Sequence, residues 1–110
     1  MYSADFIQAL KDTGIPVAHF GWESDALPRG DFIVYAEDSS EDLEGDGQHI
    51  ERATDGTVHY YTRDYSPNAK AVVESVFRAD PTIVWNLETI NFEEDTRFIH
   101  YAWEVGQYGR

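Results

Sequence analysis

The feature that most restricts the fold is a strict alternation of apolar and polar residues near the end of the chain. Within residues 96–105, four apolar side chains occupy every second position: Ile99, Tyr101, Trp103 and Val105. Successive side chains of a strand point to opposite faces of a sheet, so this spacing predicts a long strand with one buried face. Such a strand needs a second layer of structure to cover that face.

A second alternating stretch, residues 57–64, predicts another strand whose two faces differ in character. Val58 and Tyr60 share one face, whereas His59 and Tyr61 share the other. The apolar face is expected to join the core, and the histidine face is expected to lie outside it.

Two amphipathic stretches predict helices that can cover such a sheet. The first, about residues 3–13, can begin at a Ser3 or Asp5 cap and should end at Gly14 and Pro16. The second should begin with Ser66 as the cap and Pro67 at the first helical position, and it should end at Asp80-Pro81. We expect this second helix and the last strand to meet in the core through Val72, Val76, Phe77, Tyr101 and Trp103.

Shorter β-branched or aromatic runs predict four further strands, and Asp55-Gly56 predicts a tight hairpin turn. Short connections between successive strands favour antiparallel pairing. The sequence therefore predicts one α+β domain, an antiparallel β-sheet with two helices packed on one face, in the order α-β-β-β-β-α-β-β over residues 1–110. The further strands are expected over residues 16–20, 31–37, 48–53 and 83–90, with an acidic turn at 91–95 and a frayed tail at 106–110.

The charge of the chain is strongly one-sided: 21 acidic residues against 8 basic ones give a net charge of −13. Such a surface repels phosphates, so neither specific nucleic-acid binding nor binding to an anionic membrane is expected. Two acidic segments are expected to form solvated loops. Their acidic residues are Glu37, Asp38, Glu41, Asp42, Glu44 and Asp46 in the first, and Glu93, Glu94 and Asp95 in the second.

No pattern of catalytic residues is found, and we expect neither an enzyme nor a bound cofactor. The chain has no cysteine, which excludes disulfides and thiolate metal sites. A metal site from His49, His59 and Glu51 across the predicted hairpin matches no known ligand spacing. Segment 37–46 could offer oxygens to Ca²⁺, yet it lacks the loop pattern of an EF-hand, and a solvated acidic loop is the favoured interpretation.

Two aromatic residues in a polar stretch, Phe20 and Trp22, are candidate anchors for an interface. Trp22 could equally fold back onto the core. The start of the chain lacks the basic and apolar regions of a signal peptide, and no apolar run is long enough to cross a bilayer. A soluble protein made in the cytoplasm is therefore expected.

In their order and spacing, several segments together resemble the small tail terminator proteins of long-tailed phages and prophages, also called tail completion proteins. The resemblance covers nearly the whole chain, although segment 37–46 is more acidic than the corresponding loop in that family. The segments that carry it are Gly14-Ile15-Pro16-Val17, Asp31-Phe32-Ile33-Val34-Tyr35, Thr57-Val58-His59-Tyr60-Tyr61-Thr62, Pro67, Glu88-Thr89 and Tyr101-Ala102-Trp103-Glu104-Val105.

This resemblance implies a ring, generally a hexamer, that caps the growing tail tube and provides the surface for head joining. In a ring that DNA must traverse, the two acidic segments are expected to line the channel or to contact a partner. The expected partners are other copies of the chain, the tail tube protein and a head-connector protein. The expected location is the host cytoplasm during assembly and then the tail or neck of the virion. A different reading of the charge is an acidic DNA mimic that inhibits a basic nucleic-acid-binding protein.

Overall fold

The computed structural model describes residues 1–23, 26–38 and 53–108. Their elements run α1 (Ala4–Lys11), β1 (Val17–His19), β2 (Phe32–Glu37), β3 (Ala53–Thr62), α2 (Ala71–Ala79), β4 (Ile83–Glu93) and β5 (Phe98–Tyr108). The α+β class is therefore as predicted. The described residues form one sheet of five strands, whereas six strands were predicted.

The first helix begins and ends where its sequence signals predict. The Ser3 hydroxyl oxygen accepts a hydrogen bond from the Phe6 N–H at 3.1 Å, and Asp12 is the carboxyl-terminal cap. Gly14 then adopts φ +87°, a conformation that side chains rarely tolerate. Phe6 and Leu10 are buried on the side of the helix that faces the sheet.

The strands are arranged in the order β1-β2-β3-β5-β4, and the sheet is mixed. β1 pairs with β2 in parallel, in the register Val17↔Ile33, and the other three pairings are antiparallel. The prediction of a wholly antiparallel sheet is therefore wrong at this edge. The segment between β1 and β2 carries the chain back to the start of β2 and does not form a tight hairpin.

The predicted hairpin turn at Asp55 and Gly56 is wrong. Both residues lie inside β3, where Gly56 pairs with Glu37 of β2 on one side and Val105 of β5 on the other. A Cβ at Gly56 would lie 2.3 Å from the Ala36 carbonyl oxygen, so the glycine here serves a close approach of two strands. Most of the strand predicted over residues 48–53 lies outside the described residues.

The start of the second helix also differs from the prediction. Ser66 and Pro67 lie in turns, and α2 begins only at Ala71. Ser66 accepts a hydrogen bond from the Asn68 N–H at 3.1 Å, and its own N–H donates to the Asp64 carboxylate at 2.9 Å. Such local side-chain bonds stabilise successive turns at the expense of a regular helix.

The last two strands are longer than predicted, and the expected frayed tail is wrong for residues 106–108. β4 extends to Glu93, and β5 continues to Tyr108, whose N–H donates to the Thr82 carbonyl at 3.0 Å. Pairing with β3 on one side and β4 on the other therefore orders β5 almost to the end of the chain.

The core lies between the two helices and one face of the sheet, as predicted. The alternation of β3 and β5 is confirmed, because Val58, Tyr60, Tyr101, Trp103 and Val105 are all buried on this face. The Phe77 and Trp103 rings of the helix and sheet pack edge to face, with centroids 5.4 Å apart.

One predicted helix contact is wrong. Val72 is 45% exposed, whereas its neighbour Val73 is fully buried and faces the sheet. Val76 is partly buried against the core, as expected. Although α2 starts later than predicted, its apolar residues keep their helical spacing. The helix presents Val73 to the sheet, so Val72 lies at the edge of the buried stripe.

Candidate functional site

Phe20 lies directly after β1, at one edge of the sheet, and its side chain is 70% exposed. Its backbone has φ +68°, and its N–H donates to the Tyr35 carbonyl at 2.8 Å. A phenylalanine in the left-handed region is costly, and so is a large apolar side chain in water. The predicted anchor is thus held outside the core by its own backbone.

His19 connects Phe20 to the sheet. The imidazole stacks between the rings of Phe20 and Tyr35, with centroid distances of 4.1 and 4.7 Å. Its Nε2 lies 2.5 Å from a carboxylate oxygen of Glu37, and the Tyr2 N–H donates to the other oxygen at 3.3 Å. The His19 side chain therefore contacts two predicted site residues, Phe20 and Glu37.

Glu37 belongs to β2, so its assignment to an acidic loop is wrong. Partial burial acts to raise the pKa of its carboxyl, but hydrogen bonds from His19 and from backbone N–H groups outweigh burial and lower that pKa. Glu37 is consequently ionised at neutral pH and carries a fixed negative charge beside Phe20.

Trp22 is half-buried, and its indole packs edge-on against the Phe32 ring at a centroid distance of 5.5 Å. Phe32 in turn stacks on Tyr61 at 4.6 Å on the face of the sheet away from the helices. Of the two aromatic anchors proposed from sequence, Phe20 is thus the exposed one, and Trp22 covers part of this second face.

The predicted acidic residues do not form a single cluster in the described residues. Asp38 is exposed, and its N–H donates to the Asp55 carbonyl at 2.8 Å. The two residues line an open concavity of about 370 Å³ together with Val84, Glu104 and others near the start of β4. Glu41, Asp42, Glu44 and Asp46 lie outside the described residues.

The second acidic segment lies at the other end of the β4–β5 pair. Glu93 is the last residue of β4 and pairs with Phe98, whereas Ile83 at the opposite end pairs with Gln107. Glu94 and Asp95 are exposed in the turn that follows. The structure therefore separates these three residues from Asp38 by nearly the length of the strand.

Sequence reasoning missed a polar chain on the sheet face away from the helices. His59 Nδ1 lies 2.7 Å from His100 Nε2, and His59 Nε2 lies 3.1 Å from the Thr57 hydroxyl. Glu93 lies 3.7 Å from His100 Nδ1, and the Tyr61 ring stacks on His100 at 4.3 Å. The alternation in the sequence placed His59 and Tyr61 on this face. The position of His100 beside them follows from the pairing of β5 with β3, which the sequence does not predict.

Burial lowers the pKa of both histidines. The neighbouring His100 lowers the pKa of His59 further, whereas Glu93 partly offsets the effect on His100. Both imidazoles are therefore neutral near pH 7, which allows one ring N–H to donate to the nitrogen of the other. In the arrangement that uses every group, Thr57 donates to His59, His59 to His100, and His100 points its N–H at Glu93.

Sequence reasoning also missed an apolar concavity at the other edge of the sheet. It has a volume of about 370 Å³ and is lined by Tyr65, Ile90, Phe92 and Ile99. Ile90 and Phe92 are 59% and 45% exposed, and the Arg97 guanidinium lies 5.8 Å from the Phe92 ring centroid. The predicted strand ended at Ile90, so nothing in the sequence indicated that Phe92 lies beside Tyr65.

The described residues contain no group of three His, Asp or Glu side chains placed to hold a metal ion. His49 and Glu51 of the metal hypothesis lie outside the part of the chain that the structure describes. Since Asp55 and Gly56 form no turn, the described neighbour of His59 is His100 on β5. No helix among the described residues is long and apolar enough to cross a membrane.

No protein-family model matches this sequence, and no curated protein matches it closely enough to count as a relative. The site must therefore be interpreted from its own chemistry. Its features are exposed aromatic and aliphatic groups at both edges of the sheet and carboxylates at both ends of the β4–β5 pair.

Proposed function

We propose that this chain is a structural assembly protein of a long-tailed phage or prophage and the subunit of an oligomeric ring, a hexamer as in the tail terminator proteins that it resembles. The ring caps the tail tube and joins the tail to the head. The chain is made in the host cytoplasm and becomes part of the neck of the virion. The resemblance of its segments to tail terminator proteins supports this assignment.

One observation carries the proposal: large apolar side chains are exposed at both edges of the five-stranded sheet. Phe20 follows the edge strand β1, and Ile90 and Phe92 lie on the edge strand β4. Ile90 and Phe92 share an apolar concavity with Tyr65, and contiguous apolar surface on a small domain usually marks a protein–protein contact. Exposed apolar groups on opposite edges suit a subunit that contacts a neighbour on either side.

The negative charge supports a second part of the proposal. A ring through which DNA passes is best lined by groups that repel phosphates, so that the genome slides without binding. Asp38 and the turn residues Glu94 and Asp95 are exposed carboxylates available for this purpose. Segment 39–46, which carries further carboxylates, lies outside the described residues.

The experiment combines the purified chain with the tail tube protein of the same phage and examines the tubes by electron microscopy. We expect a ring of six copies at one end of each tube, and tubes of uniform length. Tubes that grow without limit and carry no additional density would contradict the proposal. A monomer that instead binds a basic nucleic-acid-binding protein, in competition with DNA, would support the DNA-mimic alternative.

A further inference from the structure

Two imidazoles from neighbouring strands contact each other directly on the sheet face away from the helices, called here the outer face. His59 Nδ1 of β3 lies 2.7 Å from His100 Nε2 of β5. At this distance a single hydrogen atom fits between the two nitrogens. One nitrogen must therefore donate and the other must accept in every protonation state that keeps this contact.

The other two ring nitrogens decide how many protons the pair can hold. His59 Nε2 lies 3.1 Å from the Thr57 hydroxyl, and His100 Nδ1 lies 3.7 Å from the Glu93 carboxylate. In the neutral pair, Thr57 donates to His59 Nε2, and the N–H of His100 points at Glu93. Because a hydroxyl can turn from donor to acceptor, a first added proton can occupy His59 Nε2 while the 2.7 Å contact is kept.

A second added proton finds no free nitrogen in the pair. Both nitrogens of the contact between His59 and His100 would then carry a hydrogen atom, with no acceptor between them. Two positive rings would also face each other at close range, and like charges disfavour that state. The second proton can therefore be bound only if the two rings separate.

The charges around the pair offset one positive charge. The charged and titratable side chains that face it on the outer face are Tyr61 on β3, Glu93 at the end of β4, Glu104 on β5 opposite Thr57, and Arg63 over the Phe98 ring. At its position opposite His59, β2 contributes the apolar Val34. Burial of the two rings lowers the pKa of both imidazoles, so protons enter the pair only in acid.

We infer that His59 and His100 form a two-step proton switch, which holds a first proton with the sheet unchanged and is driven apart by a second. Tyr61 stacks on His100 at 4.3 Å and on Phe32 at 4.6 Å. Separation of the histidines therefore removes one side of an aromatic stack and uncovers apolar rings of the outer face. This inference does not rest on the proposed ring.

Nuclear magnetic resonance of the ring nitrogens in the wild-type chain follows both protons directly. From about pH 8 to about pH 4, the signals of His59 and His100 should move together in two steps that lie at least about one pH unit apart. The coupling transmitted through the N–H···N bond should persist through the first step and vanish in the second. Two independent single steps, or loss of this coupling in the first step, would overturn the inference.

Histidine variants provide the matched controls. His59→Gln and His100→Gln each leave one imidazole of the pair, which should titrate in a single step. The double variant keeps every carboxylate of the wild type, so it shows which effects of acid arise elsewhere in the chain. Thermal unfolding at pH 7 checks that each variant is folded.

A dye that fluoresces on apolar surfaces detects the opening of the outer face. Beyond the second step, the wild type should bind several-fold more dye than the double variant, while the far-ultraviolet circular dichroism of the sheet is unchanged. Equal dye binding by the two chains at every pH would overturn the inference. Dye binding that begins only as the sheet signal is lost would also overturn it, because it would indicate unfolding of the whole domain.

Discussion

Gly56→Ala tests the packing of the central strands. An added Cβ would lie 2.3 Å from the Ala36 carbonyl oxygen, 2.6 Å from the Tyr2 hydroxyl and 2.8 Å from the Glu37 Cα. Two of these atoms belong to the backbone of β2, which pairs with β3 along its whole length. The strands must therefore separate locally, and the buried Tyr2 side chain must move.

The size of the effect follows from those contacts. Overpacking by one methyl group in a tight interior costs about 1–3 kcal/mol. The Tyr2 hydroxyl donates a buried hydrogen bond to the Val105 carbonyl at 2.9 Å, and leaving that carbonyl without a partner costs about 1–3 kcal/mol more. We expect a total loss of about 2–6 kcal/mol, a large part of the roughly 5–15 kcal/mol typical of a domain.

Urea denaturation of Gly56→Ala measures this loss. Gly30→Ala is the matched control, because a Cβ at Gly30 meets no atom within 4 Å. The control should lie within about 0.5 kcal/mol of the wild type or be slightly more stable. Equal stability of Gly56→Ala and Gly30→Ala would refute the reasoning, because it would return Gly56 to the turn that the sequence alone predicts.

Three further predictions follow from the core and the histidine pair. Val73→Asp should abolish cooperative thermal unfolding, whereas Val72→Asp should shift the melting temperature only slightly, because only Val73 is buried. Glu74→Ala should cost about 1–3 kcal/mol in urea denaturation, since Glu74 accepts a buried indole N–H at 2.9 Å, and Glu74→Gln, which keeps an acceptor, should cost less. The pKa of His59 and His100 is lowered in the folded state, so the unfolded chain binds more protons and stability should fall as pH drops from about 7 to 5. Replacing both histidines by Gln should flatten this pH dependence; an unchanged slope would contradict it.

The sequence predicts those parts of the fold that depend on regular periodicity. Alternation in β3 and β5 identified the buried residues Val58, Tyr60, Tyr101 and Trp103 correctly, since a strand can satisfy such a pattern only by burying one face. Of the two caps that the sequence allowed, Ser3 and Asp5, the structure uses Ser3, whose hydrogen bond is local.

Features that depend on distant residues were not predictable from the sequence alone. Asp55-Gly56 has the local preference for a turn, but pairing of β3 with strands on both sides overrides it. Glu74 lies on α2 and is buried, and its carboxylate accepts the Trp103 indole N–H, a contact that no pattern in the sequence indicates. The β4-edge concavity exists only because the turns after β3 place Tyr65 beside Phe92.

The candidate anchor was partly predictable. The polar surroundings of Phe20 and Trp22 in the sequence identified both as candidate interface anchors, while leaving Trp22 equally able to fold back onto the core. Only the structure distinguishes them, because the Phe32 ring on the outer face of β2 gives Trp22 a partner. The Phe20 ring stacks on the His19 imidazole and stays 70% exposed.

The central claim is that this chain assembles into a closed ring, and the most direct test is the native mass of the complex isolated from capped tail tubes. The claim predicts a single assembly of six copies of the 12.6 kDa chain, about 76 kDa. Native mass spectrometry resolves this mass from that of neighbouring stoichiometries. A chain recovered only as a monomer or two-fold dimer, with none retained on the tubes, would contradict the account.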